Sequence, residues 1–282
     1  MYKLLSGVNP WLLALVSGLL MALGWPMHKL SLVVFIAWIP LLIASDITKS
    51  NIRFFLMTYM SMLVWNALTT WWVWNASPAG ALGAMLVNSL LMTIPWLCFR
   101  ATSKYLGKHL GGISLIVFWL SWEYFHFNWQ LSWPWLTLGH ALSMYPSWVY
   151  WYSITGVAGG SAWIVAINVA VARAIRNASF HGENTFQAKT MIHFLPPGML
   201  KITPLLLSFI MRPDIEEGQP AEVVVVQPNV EAYTEKFSTP PEILLNQMIR
   251  QSANSITPKT RLVVWPETAL VIVLLAILSP SW

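Results

Sequence analysis

Long apolar runs separated by short polar breaks fill the first three quarters of the chain, and the pattern changes once, near residue 212. Seven runs, at about 10–26, 31–45, 52–74, 80–100, 111–127, 157–176 and 191–211, predict helices. The first two are short for a bilayer, which needs roughly 20 apolar residues, and predict a tight hairpin around Trp25-Pro26. The seventh holds Pro196-Pro197, Lys201 and Pro204, so a kinked or partly re-entrant segment is expected there. From Arg212 the periodicity is lost: Pro213-Asp214-Ile215-Glu216-Glu217-Gly218 reads as a linker. A valine strand from Glu222 to Val226 follows and is stopped by Pro228. Ser238 or Thr239 is placed to cap a helix with Pro240-Pro241 in its first turn and Glu242 near its positive end. Ile243, Leu244, Met248 and Ile249 give that helix an apolar face, and it runs to about Ser255. Thr257-Pro258 ends it. Leu262 to Trp265 then reads as a strand buried on both faces, stopped by Pro266. Strand, helix and strand at this spacing predict a βαβ unit with a right-handed crossover. The expected organisation is a helical membrane domain over 1–211, a linker over 212–220 and an α/β segment over 221–282, with an atypical tail from about 271.

Composition sharpens this to an integral membrane protein. Of 282 residues, 56% are hydrophobic and 10% charged, against roughly 25% charged in soluble domains. The 18 tryptophans fit that class, because indole rings favour the membrane–water interface. A net charge of +5 would suit a nucleic-acid partner, but the basic residues stand singly and in pairs between apolar runs, so none is expected. Their distribution gives the orientation. Lys3, Lys49, Arg53, Arg100, Lys104, Lys108, Arg173, Arg176 and Lys189 fall on one side and only Lys29 on the other, which places the N-terminus in the cytoplasm. Seven crossings then put everything after residue 212 outside, in a bacterium the periplasm; if the seventh segment does not cross, that inverts. The apolar run near the N-terminus lacks a signal-cleavage site and reads as a retained first span.

Candidate chemistry is sparse. Cys98 is alone in an apolar run, so no disulfide framework exists, and its plain reading is a small buried residue. The histidines show no ligand spacing, and neither a Gly-rich phosphate loop nor G-x-S-x-G occurs; no metal or cofactor is expected. The loop over 128–156 carries Trp129, Trp133, Trp135, Tyr145, Trp148, Tyr150, Trp151 and Tyr152. It reads as an aromatic belt on the bilayer surface or as a platform guiding lipid chains towards a site above it. Glu123, with His126 one turn on, lies at membrane depth, either as a functional acid or as a structural pair at the interface. Glu267 follows Pro266 directly and so stands at the carboxyl end of a strand, where open α/β sheets place their chemistry. An acid in an ordinary turn is the plain alternative.

Three stretches resemble a known family, the bacterial apolipoprotein N-acyltransferases. Gly18-Leu19-Leu20-Met21-Ala22-Leu23-Gly24-Trp25-Pro26 with Phe35-Ile36-Ala37-Trp38-Ile39-Pro40 is similar to the family's opening hairpin. Trp133-Pro134-Trp135-Leu136-Thr137-Leu138-Gly139 with Tyr152-Ser153-Ile154-Thr155-Gly156 resembles its long periplasmic loop. Val225-Val226-Gln227-Pro228-Asn229 and Val264-Trp265-Pro266-Glu267-Thr268-Ala269 resemble the first two strands of its nitrilase-like domain. The resemblance implies a polytopic α-helical membrane bundle in the bacterial inner membrane, carrying a periplasmic α/β domain of the nitrilase (carbon–nitrogen hydrolase) fold. It also implies a reaction: an acyl chain passes from a phospholipid donor to the N-terminal amine of a diacylglyceryl-cysteine lipoprotein through a cysteine thioester. By the Trp-Pro-Glu motif, Glu267 takes the part of general base, and a lysine stabilises the tetrahedral intermediates.

The chain departs from that pattern at its end. The fifteen residues after Glu267 hold neither lysine nor cysteine, and Leu270–Leu278 is a nine-residue apolar run, too short to span. The expectation is a copy truncated or frame-shifted inside its catalytic domain and inactive in acyl transfer. The rival expectation, from another class, is a non-catalytic membrane protein, a transporter or lipid-binding scaffold. A half-domain of two strands and a helix buries little surface, so its independent folding is doubtful.

Overall fold

The computed structural model describes residues 2–180, 198, 200, 202–213, 220–231, 235 and 238–266. It divides into two compact units, Met1–Pro213 and Asp214–Trp282. The first is helical: α1 (Tyr2–Ser6), α2 (Pro10–Leu23), α3 (Ile39–Ile47), α4 (Asn51–Thr70), α5 (Pro78–Leu91), α6 (Thr93–Tyr105), α7 (Lys108–Phe127), α8 (Tyr152–Phe180) and α9 (202–210). Several starts are written locally. The Asn9, Ser50 and Ser77 side chains accept from the N–H groups of Trp11, Arg53 and Gly80, and Pro10 and Pro78 occupy first-turn positions that need no donor. Two helical stretches, Pro78–Tyr105 and Tyr152–Ala178, are long and apolar enough to cross a membrane. At 20 residues each, α4 and α7 have the length, about 30 Å at 1.5 Å per residue, but less apolar character. Of the seventh predicted run, 191–197, 199 and 201 lie outside the described residues, while α9 is joined to the rest of the unit by Tyr150 N–H donating to Ser208 Oγ (3.1 Å).

Breaks in helices inside an apolar interior must have their backbone groups satisfied. Between a 3₁₀ turn at Ser31–Phe35 and α3, Asn168 of α8 does this. Its Oδ1 accepts from Trp38 N–H (2.8 Å), and its Nδ2 donates to Val34 O (2.8 Å) and Ile164 O (2.9 Å). The second break is Gly156, whose φ of 62° and ψ of −169° only glycine adopts freely; it parts the first turn of α8 from the long helix beyond.

The core of this unit is built from tryptophan. Trp38, Trp65, Trp96 and Trp119 are fully buried, with Trp38 meeting Trp119 and Trp96 edge-on at centroid distances of 4.6 and 5.1 Å. Assigning the tryptophans to the membrane interface therefore fails for these four, which fill the space where helices cross. The loop over 128–156 is also more than a surface belt. It folds into short 3₁₀ turns that bury Leu136, Leu138, Ala141, Leu142 and Trp151.

Contacts sort the connections into two ends. Asp46, at the end of α3, is bridged by Lys108 at the start of α7 (2.7 Å) and Arg176 near the end of α8 (2.8 Å), and Tyr2 OH reaches it at 3.5 Å. Arg100 of α6 donates to Asn51 Oδ1 and to the carbonyls of Thr48 and Lys49. At the other end, Tyr145 OH donates to Lys29 O (2.9 Å), and Trp72 meets Trp135.

In the second unit, β1 (Glu222–Val225), α10 (Pro241–Ser255) and β2 (Thr260–Val264) form a parallel pair joined through a helix, with Val223 beside Leu262 and Val225 beside Val264. Three local expectations fail here. Val223, Val225, Leu262 and Val264 are 46%, 71%, 54% and 40% exposed, so β2 is not buried on both faces, because the described sheet has two strands and one helix to cover it. On α10 only Leu244 and Met248 of the predicted apolar face are buried, while Ile243 and Ile249 stay exposed. The residue before α10 is Pro240, with no side-chain capping bond. Pro241 has no N–H, so one of the donors a cap would serve is already absent.

Candidate active site at the strand ends

The last rung of the strand pair is Val226 N–H to Val264 O (2.9 Å). Beyond it both chains meet prolines, Pro228 and Pro266, which cannot extend the ladder. After Pro228 the backbone turns sharply at Asn229 (φ 53°), in the left-handed region that asparagine tolerates, and Gln247 of α10 donates to Pro228 O (3.4 Å). After β2, Trp265 is fixed by its indole Nε1 donating to Ser252 Oγ (2.9 Å), whose hydroxyl donates on to Met248 O (2.7 Å). Two side chains of α10 thus hold both strand exits, the arrangement open α/β sheets use to present groups at their carboxyl edge. Glu267, the residue singled out from sequence, is the next position after Pro266 and lies outside the described residues. Lys259 precedes β2, at the opposite end of the strand, with its N–H donating to Thr257 Oγ1 (3.1 Å). Among the described residues, no group of three or more His, Cys, Asp or Glu is arranged for a metal.

A second polar constellation lies in the helical unit. Glu123 is buried at 4% exposure, and its Oε1 accepts from Trp119 Nε1 (2.8 Å), one turn back on α7, and from Leu138 N–H (2.9 Å) in the long loop. Ser161 stands beside the same carboxylate, its hydroxyl accepting from Gly139 N–H (3.0 Å). Tyr152 OH donates to Gly139 O (3.0 Å). Glycine is required at 139, since a Cβ there would sit 2.2 Å from Val157 O. Glu123 and His126 are not a pair: His126 Nδ1 accepts from Trp129 Nε1 (2.9 Å), and its ring stacks on Trp122. Glu123 instead ties the loop to α7, a partner that sequence spacing could not show because Leu138 contributes only its backbone. Cys98 is half-buried rather than enclosed. It lines a small apolar cavity of about 260 Å³ with Phe118, Trp122 and Phe125, and no base stands against it there.

Comparison with known proteins gives these positions a context. The family model described as "Apolipoprotein N-acyltransferase N-terminal domain" matches residues 17–170, the stretch that holds the tryptophan core, Glu123 and the loop it anchors. A protein of Chlorobaculum tepidum named apolipoprotein N-acyltransferase is 29% identical over 275 residues, covering 95% of this chain and 50% of its own. One of the same name from Geobacter metallireducens is 26% identical over 269 residues, covering 92% and 51%. The chain therefore spans about half the length of these curated relatives.

Proposed function

This chain belongs to the apolipoprotein N-acyltransferase family, and from that membership we propose that it is the membrane part and the opening of the catalytic domain of an enzyme moving an acyl chain from a phospholipid to the N-terminal amine of a diacylated lipoprotein. The match over residues 17–170 carries this reading. The remaining steps are those the family's chemistry requires. A cysteine thiolate attacks the phospholipid ester and expels the lysophospholipid; the lipoprotein amine then attacks the thioester and regenerates the thiol. Glu267 takes the thiol proton and delivers it to the leaving lysophospholipid oxygen, then takes the amine proton and returns it to the departing thiolate. Its support is positional: Trp265 and Pro266 bring the chain to the carboxyl edge of the strand pair, held by Ser252.

The α/β unit is proposed to be the start of a nitrilase-like domain. Its support is the parallel pair crossed over by α10, together with the apolar row Val223, Val225, Leu262 and Val264 left exposed, because parallel sheets are covered on both faces. We place the chain in the bacterial inner membrane through seven spans, with the N-terminus cytoplasmic and the second unit periplasmic. The gathering of Asp46, Asn51, Arg100, Lys108 and Arg176 at one end supports this, since the positive-inside rule asks those connections to share a side.

The test joins residues 1–269, which include the Trp265-Pro266-Glu267 motif, to the second half of the Chlorobaculum tepidum relative and follows labelled acyl transfer from phospholipid to a diacylated lipopeptide. The fusion should transfer label, and Glu267→Gln in it should reduce the rate by on the order of 10²–10⁴. A fusion that transfers no label, or full activity of the glutamine variant, would overturn the reading.

A further inference from the structure

A cavity of about 980 Å³ lies at the basic end of the helical unit, between α3, α6, α7 and α8. None of the groups named for acyl transfer contributes to it. Six Lys or Arg side chains and one carboxylate line it. The carboxylate, Asp46, is already used by Lys108 and Arg176. Arg100 is occupied by backbone carbonyls, and Arg173 donates to His109 Nδ1 (2.7 Å). The wall nevertheless keeps an excess of positive charge, six Lys or Arg side chains against Asp46 among the described residues.

Two donors mark where an anion would sit. Arg176 spends Nη2 on Asp46, but its Nε is buried and has no hydrogen-bond partner; Ser103 Oγ, on the same cavity, is likewise buried and unpartnered. Orphaned buried donors are rare in folded proteins and costly. An arginine Nε and a hydroxyl lining one cavity are donors suited to phosphate oxygens. The same lining carries apolar side chains of α7 and α8, Ile113, Ile116, Val169 and Ala170. Free phosphate has no use for such side chains, whereas an acyl chain does.

We propose that this cavity binds an anionic phospholipid, with its phosphate on Arg176 Nε and Ser103 Oγ, its headgroup among Lys49 and Lys104, and one chain along the apolar side chains of α7 and α8. Basic pockets between membrane helices on the cytoplasmic side hold lipid headgroups on this principle. Given the orientation proposed above, the lipid comes from the inner leaflet, but the binding itself does not depend on that orientation.

The test uses the purified 282-residue chain in detergent, with dioleoyl phosphatidylglycerol as probe, read by native mass spectrometry against phosphatidylcholine and against inorganic phosphate. Phosphatidylglycerol should be retained in preference to phosphatidylcholine, and excess inorganic phosphate should not displace it. Arg176→Gln and Lys104→Gln should each weaken retention about fivefold, the worth of one basic side chain near a lipid surface. Because Arg176 also bridges Asp46, Ala170→Phe serves as a second variant. It fills the apolar lining without touching a charge, and it should lower phosphatidylglycerol retention at an unchanged melting temperature. Equal retention of the two lipids, parent-like retention in both Arg176→Gln and Ala170→Phe, or displacement by inorganic phosphate would each overturn the proposal.

Discussion

Four tryptophans in the helical unit lose essentially all of their exposure, while four apolar strand residues of the α/β unit keep 40% or more of theirs. The residue types do not explain this, since valines and leucines bury as readily as indoles. Neighbours do. Trp119 is met by Trp38, Trp65 and Trp122 from three directions, whereas Val225 has a strand at its side and no layer over it. The crossing helices of the first unit cover its tryptophan core on every side, whereas the described strand pair has α10 over one face.

The contrast can be broken most directly at Trp119. Trp119→Ala removes a fully buried indole and the donor to Glu123, and should cost about 3–5 kcal/mol, seen as a large fall in the melting temperature of the purified chain. Val225→Ala, on the uncovered face, should change it by no more than about 0.5 kcal/mol. Similar effects at the two sites would end the distinction.

Next in size is Glu123→Ala, which leaves Trp119 Nε1 and Leu138 N–H without their acceptor, at about 1–3 kcal/mol for each orphaned donor. Because Leu138 belongs to the long loop, the loss should appear as faster proteolysis between residues 128 and 156. Glu123→Gln keeps an oxygen in place and should restore much of the protection. A loop equally resistant in the alanine variant would mean that the carboxylate does not anchor it. In the α/β unit, Trp265→Phe deletes the bond to Ser252 and should cost about 0.5–1.5 kcal/mol, read as faster amide exchange in β2.

How far the sequence could foresee these features follows the same division. Apolar runs and prolines marked most of the described helices and both strands, because those signals are local, but not α1 or the division of the 80–100 run into α5 and α6. The Trp-Pro stop after β2 was equally plain. Tertiary partners were not legible. Nothing near Asn168 shows that its amide closes a helix break 130 residues away, and nothing near Glu123 shows that it meets a backbone N–H rather than His126. The same blindness misassigned Trp38, Trp65, Trp96 and Trp119 to the interface, since one-dimensional composition does not distinguish an indole at a helix crossing from one at the membrane surface. On α10, Ile243 and Ile249 fit an apolar stripe by period, but with one helix over two strands only Leu244 and Met248 find cover.

The smallest effect tests whether the strand pair holds together through its own polar edge. Glu222 opens β1, and its Oε1 accepts from Thr257 Oγ1 (2.5 Å) and from Thr260 Oγ1. Thr260 is the residue that opens β2 beside it. These hydroxyl donors hold the Glu222 carboxyl below its ordinary value, because they stabilise the ionised form. A carboxyl depressed in the folded state binds fewer protons there than in the unfolded chain. Its contribution is therefore complete above the ordinary carboxylate range, near roughly pH 4, and is lost as pH falls through the lower folded value. Glu222 is only partly covered, so water screens the effect, and its signature is the pH dependence rather than the size. Amide exchange along Val223–Val225 and Leu262–Val264, after correction for intrinsic rates, should accelerate as pH drops through the carboxylate range in the parent. In Glu222→Gln, which keeps an acceptor oxygen but does not titrate, it should not. The same acceleration in the glutamine variant would show that the two strands are held by their backbone ladder and α10 alone, and that the edge carboxylate takes no part.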